Sequence, residues 1–198
     1  MSRTKSAVKA TSPEKTRGNL VRHARRLFAK GGQRAVGVIE VSKAAKVTTG
    51  ALYHHFKNRE ALLEAVLEDV AQSVADRAAA AMEPHTDPWA KLGAGINAVL
   101  DLCLEPDVKL AYNEAAAILG LERWRQLEEA KTGALLVKSL MEVAATGSLK
   151  PVSLELLAAM VKGALVEAAM SITRSASPEK MRAEAGVLLE ALLAGLRV

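Results

Sequence analysis

Apolar residues return every three or four positions along most of the chain. Leu20, Ala24, Leu27 and Phe28 stand at i, i+4, i+7 and i+8, which predicts one stripe of a helix. Leu92, Ile96, Val99, Leu100 and Cys103 make a second stripe, and Met181, Ala185, Leu188, Leu189, Leu192 and Leu196 a third. Helix starts punctuate the pattern at Ser12-Pro13-Glu14, Asp87-Pro88 and Ser177-Pro178-Glu179: a capping side chain, a proline whose missing N–H costs nothing in the first turn, and in two cases an acid at the positive end of the dipole. Gly31-Gly32 ends the first helix. Residues 83–88 break a long helix that begins near Asn58, and residues 147–151 separate two later ones. No segment alternates with period two, so the expected fold class is all-α.

Composition narrows the class. The 198 residues are 50% apolar and include one cysteine, which excludes a disulfide framework and fits a reducing, cytoplasmic setting. The first 17 residues lack an apolar core, so no secretory signal is expected. Leu154 to Ile172 is interrupted by Glu155, Lys162 and Glu167 and is expected not to span a membrane. Charge is unevenly placed. Residues 1–60 hold 14 Lys and Arg against 3 Asp and Glu, and the remainder holds 13 against 19, so net charges of +11 and −6 give the overall +5. A basic head on an acidic body points to nucleic acid as a partner. The expected division is a basic arm over 1–12, a DNA-binding head over 13–60 with its helix-turn-helix at about 37–56, and a helical body over 61–198.

Residues 37–60 carry the sharpest signal. Val38, Val41, Ala44 and Ala45 give a short helix with a narrow apolar face, and Lys46-Val47 separate it from a second that opens at Thr48, a good cap, and runs to about His55. Two short helices after a longer one that can pack across both describe a helix-turn-helix head. The outer side of the second short helix carries Thr49, Gly50, Tyr53 and His54. Lys57 and Arg59 follow at the next helix start, where N–H groups and positive charge converge on an anion.

TRGNLVRHARRLFAKGG followed by VTTGALYHHFKNREALLEAV, about residues 15–67, resembles the DNA-binding domain of the tetracycline-repressor (TetR) family. The resemblance implies that Thr48, Thr49, Gly50, Tyr53 and His54 sit on the recognition helix. Thr49 and Gly50 would meet base edges, while Tyr53, His54, Lys57, Arg59 and Arg17 would grip phosphates. Leu52 and Phe56 would be core. The chain departs from the family pattern at Gln33 (usually aromatic), at Gly37 (usually a Ser or Thr cap), at Lys46 (usually the turn glycine) and at Thr49 (frequently Lys). Lys46 is expected to bear strain if its φ is positive, while adding a cation that faces DNA.

The body must pair two heads, since such domains bind as two-fold dimers across half-sites about one DNA turn apart. Leu154–Thr173 is apolar nearly all round. One face carries Leu157, Val161, Ala164, Leu165, Ala168 and Ile172, another Leu156, Ala159, Met160, Gly163 and Met170. The first face is the expected interface, joined by Leu188 and Leu192 of the last helix in the four-helix arrangement that the resemblance implies. Helices over about 88–145 would enclose a small-molecule pocket whose candidate lining is Trp89, Asn97, Tyr112, Asn113, Trp124 and Met141. So few aromatics disfavour a cage for a cation, and an aliphatic or modestly polar effector fits better. The expected mechanism is a ligand-released homodimeric repressor on a palindromic operator; an effector-independent regulator or activator is the alternative.

Other chemistries fit poorly. His54 and His55 are sequence neighbours, about 100° apart on a helix, and no Glu stands three residues before any His as a di-iron bundle requires. There is no phosphate-loop ending and no Gly-x-Ser-x-Gly. No metal, cofactor or enzymatic activity is expected.

Overall fold

In a computed structural model the described residues are 13–198; the basic arm and the Ser12 cap lie outside them. Ten α-helices make up the described chain. They are α1 (Pro13–Gly31), α2 (Val38–Ala45), α3 (Thr49–His55), α4 (Arg59–Met82), α5 (Pro88–Leu102), α6 (Pro106–Leu119), α7 (Leu121–Glu128), α8 (Ala134–Ala145), α9 (Leu154–Arg174) and α10 (Pro178–Ala194). A 3-10 turn (Gly32–Ala35) follows α1, and a π-helical turn (Glu129–Gly133) joins α7 to α8. The only β pairing among described residues is an isolated bridge between Leu149 and Arg197.

The starts follow from capping chemistry. The side chains of Thr48, Asn58, Asp87 and Ser153 accept from the N–H three residues on, open α3, α4, α5 and α9, and satisfy donors that a helix leaves free. Ser177 does not do so; α10 opens on Pro178 without a side-chain cap bond. α1 buries Leu20, Val21, Ala24 and Phe28. Its end is fixed by Gly32 at φ +63°, where the Glu114 carboxylate of α6 fills the space a Cβ would need.

The head is α1–α3 with the start of α4. Val36, Val41, Leu52 and Phe56 are all buried in it. α4 is 24 residues long, roughly 36 Å at 1.5 Å per residue, and continues from the head into the body, where it packs on α5 and α6. α9 is long and apolar enough to cross a membrane by composition, at mean hydropathy 1.5. Here it packs against α5, α6, α8 and α10 instead.

Candidate nucleic-acid interface and internal cavity

Recognition geometry begins at the turn. Lys46 takes φ 57°, ψ 41°, the left-handed conformation that glycine adopts without cost, so the expected strain is present. Its N–H reaches Lys43 O, and the Val47 N–H reaches Ser42 O at 3.0 Å, which closes the end of α2 and turns the chain into α3. The Asn19 side chain of α1 donates to Ala45 O at 3.1 Å and locks that corner from behind. α3 is pinned by one fully buried residue, Leu52, with Phe56 buried just past its end. The opposite side leaves Thr49, Gly50, Tyr53 and His54 exposed together, with Lys46 and Lys57 exposed at the two ends. Arg17 lies over the Phe56 ring at 5.2 Å, on the same corner of the head. This is a short convex ridge of hydrogen-bonding groups between cations, with no acid on α3 itself.

An internal cavity of about 60 Å³ lies between α4, α5, α6, α8, α9 and the π-helical turn. Aliphatic side chains such as Leu92, Ile96 and Leu165 form most of its wall. Its polar edge is Tyr112, Glu128, Thr132, Ser139 and Lys162. Burial pushes the Glu128 carboxyl up to about 7, against the downward pull of Tyr112, within hydrogen-bonding reach, and of Lys162. Burial, followed by the charge of Glu128, also holds the Tyr112 hydroxyl well above its ordinary value. The Lys162 ammonium pairs with the exposed Glu129.

Arg25 and Gln33 tie the body to the head. Arg25 of α1 donates to Asp107 of α6 at 2.6 Å and to Asp69 of α4 at 2.8 Å. Beside them, the Gln33 N–H donates to the Glu114 carboxylate of α6 at 2.6 Å.

The chain matches the tetracyclin repressor-like C-terminal domain over residues 89–196 and the N-terminal domain of bacterial regulatory proteins of the tetR family over 20–66. The chain belongs to the TetR family. It is 34% identical over 112 residues to the Transposon Tn10 TetC protein of Escherichia coli, 56% of this chain and 55% of that one. It is also 33% identical over 82 residues to the transcriptional repressor KstR2 of Mycolicibacterium smegmatis, 41% of this chain and 40% of that one. The chain thus spans about half the length of these curated relatives. A TetR-family transcriptional regulator from Pectobacterium atrosepticum superposes with a TM-score of 0.81 at 27% identity, covering 98% of both chains.

Against TetR-family expectation, Arg59 does not face outward. Its guanidinium donates to Val36 O at 2.8 Å and to Gln33 O, so it binds the 3-10 turn to the start of α4 rather than a phosphate. The expected pocket-lining residues are spread over several sites, with Trp89 and Asn97 on a groove of about 410 Å³ between α5 and α10. Trp89 is buried, donates to Ser148 at 2.8 Å and lies under Arg197, so it secures the C-terminal corner. Asn97 bonds to Gly93 O and Arg182, and Asn113 to Thr173. Met141 is exposed, and Trp124 stands behind Tyr112 in an edge-to-face contact at 5.8 Å. Of the six, Tyr112 alone lines the 60 Å³ cavity, while Met141 lines the groove between α8 and α9 and Trp124 a small void behind Tyr112. Glu128, Thr132 and Lys162 were missed. The signal for Glu128 was its place four residues after buried Trp124, and for Lys162 a lone cation on an otherwise apolar face.

The outer face of the α9–α10 pair also differs from expectation. Leu157 and Val161 are buried within the subunit, and Leu165 lines the cavity. Ala164 and Ala168 are partly buried against the core. The large apolar side chains left exposed on α9 are Leu156 (60%) and Met160 (65%), the face not chosen from the sequence. On α10, Leu188 and Leu192 are exposed, as an interface requires.

Proposed function

We propose that the protein is a homodimeric repressor that binds a palindromic operator through α3 and is released by a small-molecule effector held in the body. The observation that carries the reading is the exposed ridge of Thr49, Gly50, Tyr53 and His54 on a helix anchored by buried Leu52. A polar ridge set on a rigid three-helix base is what a major-groove reader needs, and Lys46, Lys57 and Arg17 are the cations near enough to position it on phosphates. Pairing through Leu156, Met160, Leu188 and Leu192 would bury an apolar patch that is costly to leave in water and would present two ridges to successive turns of the duplex. The repressor sign is taken from KstR2, the relative that its own name describes as a repressor.

Release would run by population shift. α6 carries Tyr112 at the cavity and Asp107 and Glu114 at the head. A ligand that favours a displaced α6 therefore disfavours the DNA-competent head, with coupling of about 1–3 kcal/mol that must act equally in both directions. The test is selection of bound duplexes from a random pool with the full-length protein. A recovered palindrome supports the reading; a monomeric protein that enriches no sequence overturns it.

A further inference from the structure

The cavity has a chemical preference of its own. Its two ionisable wall groups have opposite sign, Glu128 at the end of α7 and Lys162 on α9, and a third, Glu129, pairs with Lys162 outside. Glu128 and Lys162 face one another across the wall, so an ion of either sign meets a like charge as well as an opposite one and gains no net attraction to offset its own desolvation. The remaining wall is aliphatic. Tyr112, Glu128 and Thr132 also line a second, smaller void of about 10 Å³ on their far side, toward Val74 and Trp124. These three side chains are thus a polar septum within an apolar interior, and polar groups so placed need hydrogen-bond partners. The Thr132 hydroxyl is used on Glu128 O, which leaves the Glu128 carboxyl, faced by Tyr112 and Lys162, as the acceptor of the septum. At 60 Å³ the main cavity holds only a few waters at about 10–15 Å³ each. A ligand must therefore push the septum aside or enter past Gly133 and Lys162, which line both this cavity and the groove outside between α8 and α9.

We propose that the Tyr112–Glu128 septum recognises an uncharged ligand, a compact hydrocarbon body bearing one hydroxyl that donates to the Glu128 carboxyl. This deepens the effector reading and rests on it for its role, while the site itself is testable without DNA.

The experiment compares four probes that share one ring: cyclohexanol, cyclohexylamine, cyclohexanecarboxylate and methylcyclohexane. Binding to the full-length dimer at neutral pH is followed by calorimetry and tryptophan fluorescence, Trp124 being packed on Tyr112. Cyclohexanol should bind about tenfold or more tighter than the other three, the gain expected for one hydrogen bond to a buried carboxyl. Glu128→Gln keeps an acceptor and should retain the preference. Glu128→Met should erase the advantage of the alcohol over methylcyclohexane without weakening the latter. Tightest binding of the amine or the carboxylate, equal binding of alcohol and hydrocarbon, or no binding of any probe each overturns the proposal. If Glu128→Met fails to fold, the ranking on the unmodified chain decides alone. Cyclohexanol binding without loss of operator affinity would uphold the site and refute the release reading; release by the amine alone would do the reverse.

Discussion

Replacing Glu128 with Gln isolates the electrostatic cost of the cavity. The carboxyl sits at about 7 in the folded protein against an ordinary value of 4.5, with burial as the chief cause. At 1.36 kcal/mol per tenfold in proton affinity, that difference amounts to roughly 3 kcal/mol. The sign follows from which form the fold prefers. Below about pH 4.5 the carboxyl is protonated folded and unfolded, and the site costs nothing. As pH rises toward 7 the unfolded chain ionises freely while the folded one resists, so stability is lost across that interval and is level above it. The groups facing Glu128 do not blur the window. Tyr112 is held well above its ordinary value, and the Cys103 thiol is pushed up to about 12 by burial and then by Glu128, so both lie above the interval; Lys162 faces Glu128 from α9 in its pair with Glu129. Gln cannot titrate. Urea denaturation at one fixed protein concentration should therefore show Glu128→Gln gaining on the natural chain by roughly 3 kcal/mol between pH 4 and pH 8. A difference that stays flat over that range would refute the burial argument.

Lys57→Ala should weaken every DNA sequence alike and lower the salt slope by about 1, whereas Thr49→Ala should change preference at one base pair, both read by binding titrations at several salt concentrations. Lys46→Gly should relieve the left-handed turn and raise stability by about 1 kcal/mol while costing one positive charge at the interface, read by denaturation and by the same titrations. Leu188→Arg, on a residue 65% exposed, should leave the helical content intact and yield monomers in light scattering, with operator affinity lost together with the dimer. Asp107→Asn should leave effector affinity for the free protein unchanged but reduce effector-driven release about fivefold or more, because Arg25 then loses its charged partner on α6.

What could be read from the sequence was what local chemistry decides. Thr48 and Asn58 are caps wherever they stand before a helical run, and Leu52 and Phe56 have no face other than the core. Lys46 in a glycine's place betrays a positive φ because the turn demands it. Long-range choices were hidden. A cation at a helix start serves an anion equally well whether that anion is a phosphate or a pair of backbone carbonyls, and for Arg59 only the position of the Gln33–Val36 turn decides. α9 is apolar nearly all round, so its periodicity could not say which face meets its own core and which is left for Leu156 and Met160 to present. Tyr112 was found at the 60 Å³ cavity because an aromatic was sought there, while Glu128 and Lys162 were not, since only the packing of α7 and α9 against the other helices brings them to its wall.

The arrangement of α6 explains how so small a cavity could reach the head. At 100° per residue, Asp107 and Glu114 are seven positions apart and lie within about 20° of one another, so one edge of the helix holds both contacts to the head. Tyr112 is five positions from Asp107 and about 140° away, on nearly the opposite edge, where it forms the septum with Glu128. In the proposed release, a ligand too large for 60 Å³ would act on α6 where it pushes Tyr112 aside. Because α6 is a continuous helix from Pro106 to Leu119, such a push would roll or shift the whole rod. Asp107 and Glu114 would then move together against Arg25 and the Gly32-Gln33 turn. Gly32 has no slack to absorb the motion, since the Glu114 carboxylate already occupies the space of its missing side chain. In the proposed release the end of α1 would follow, and with it the base on which α3 stands.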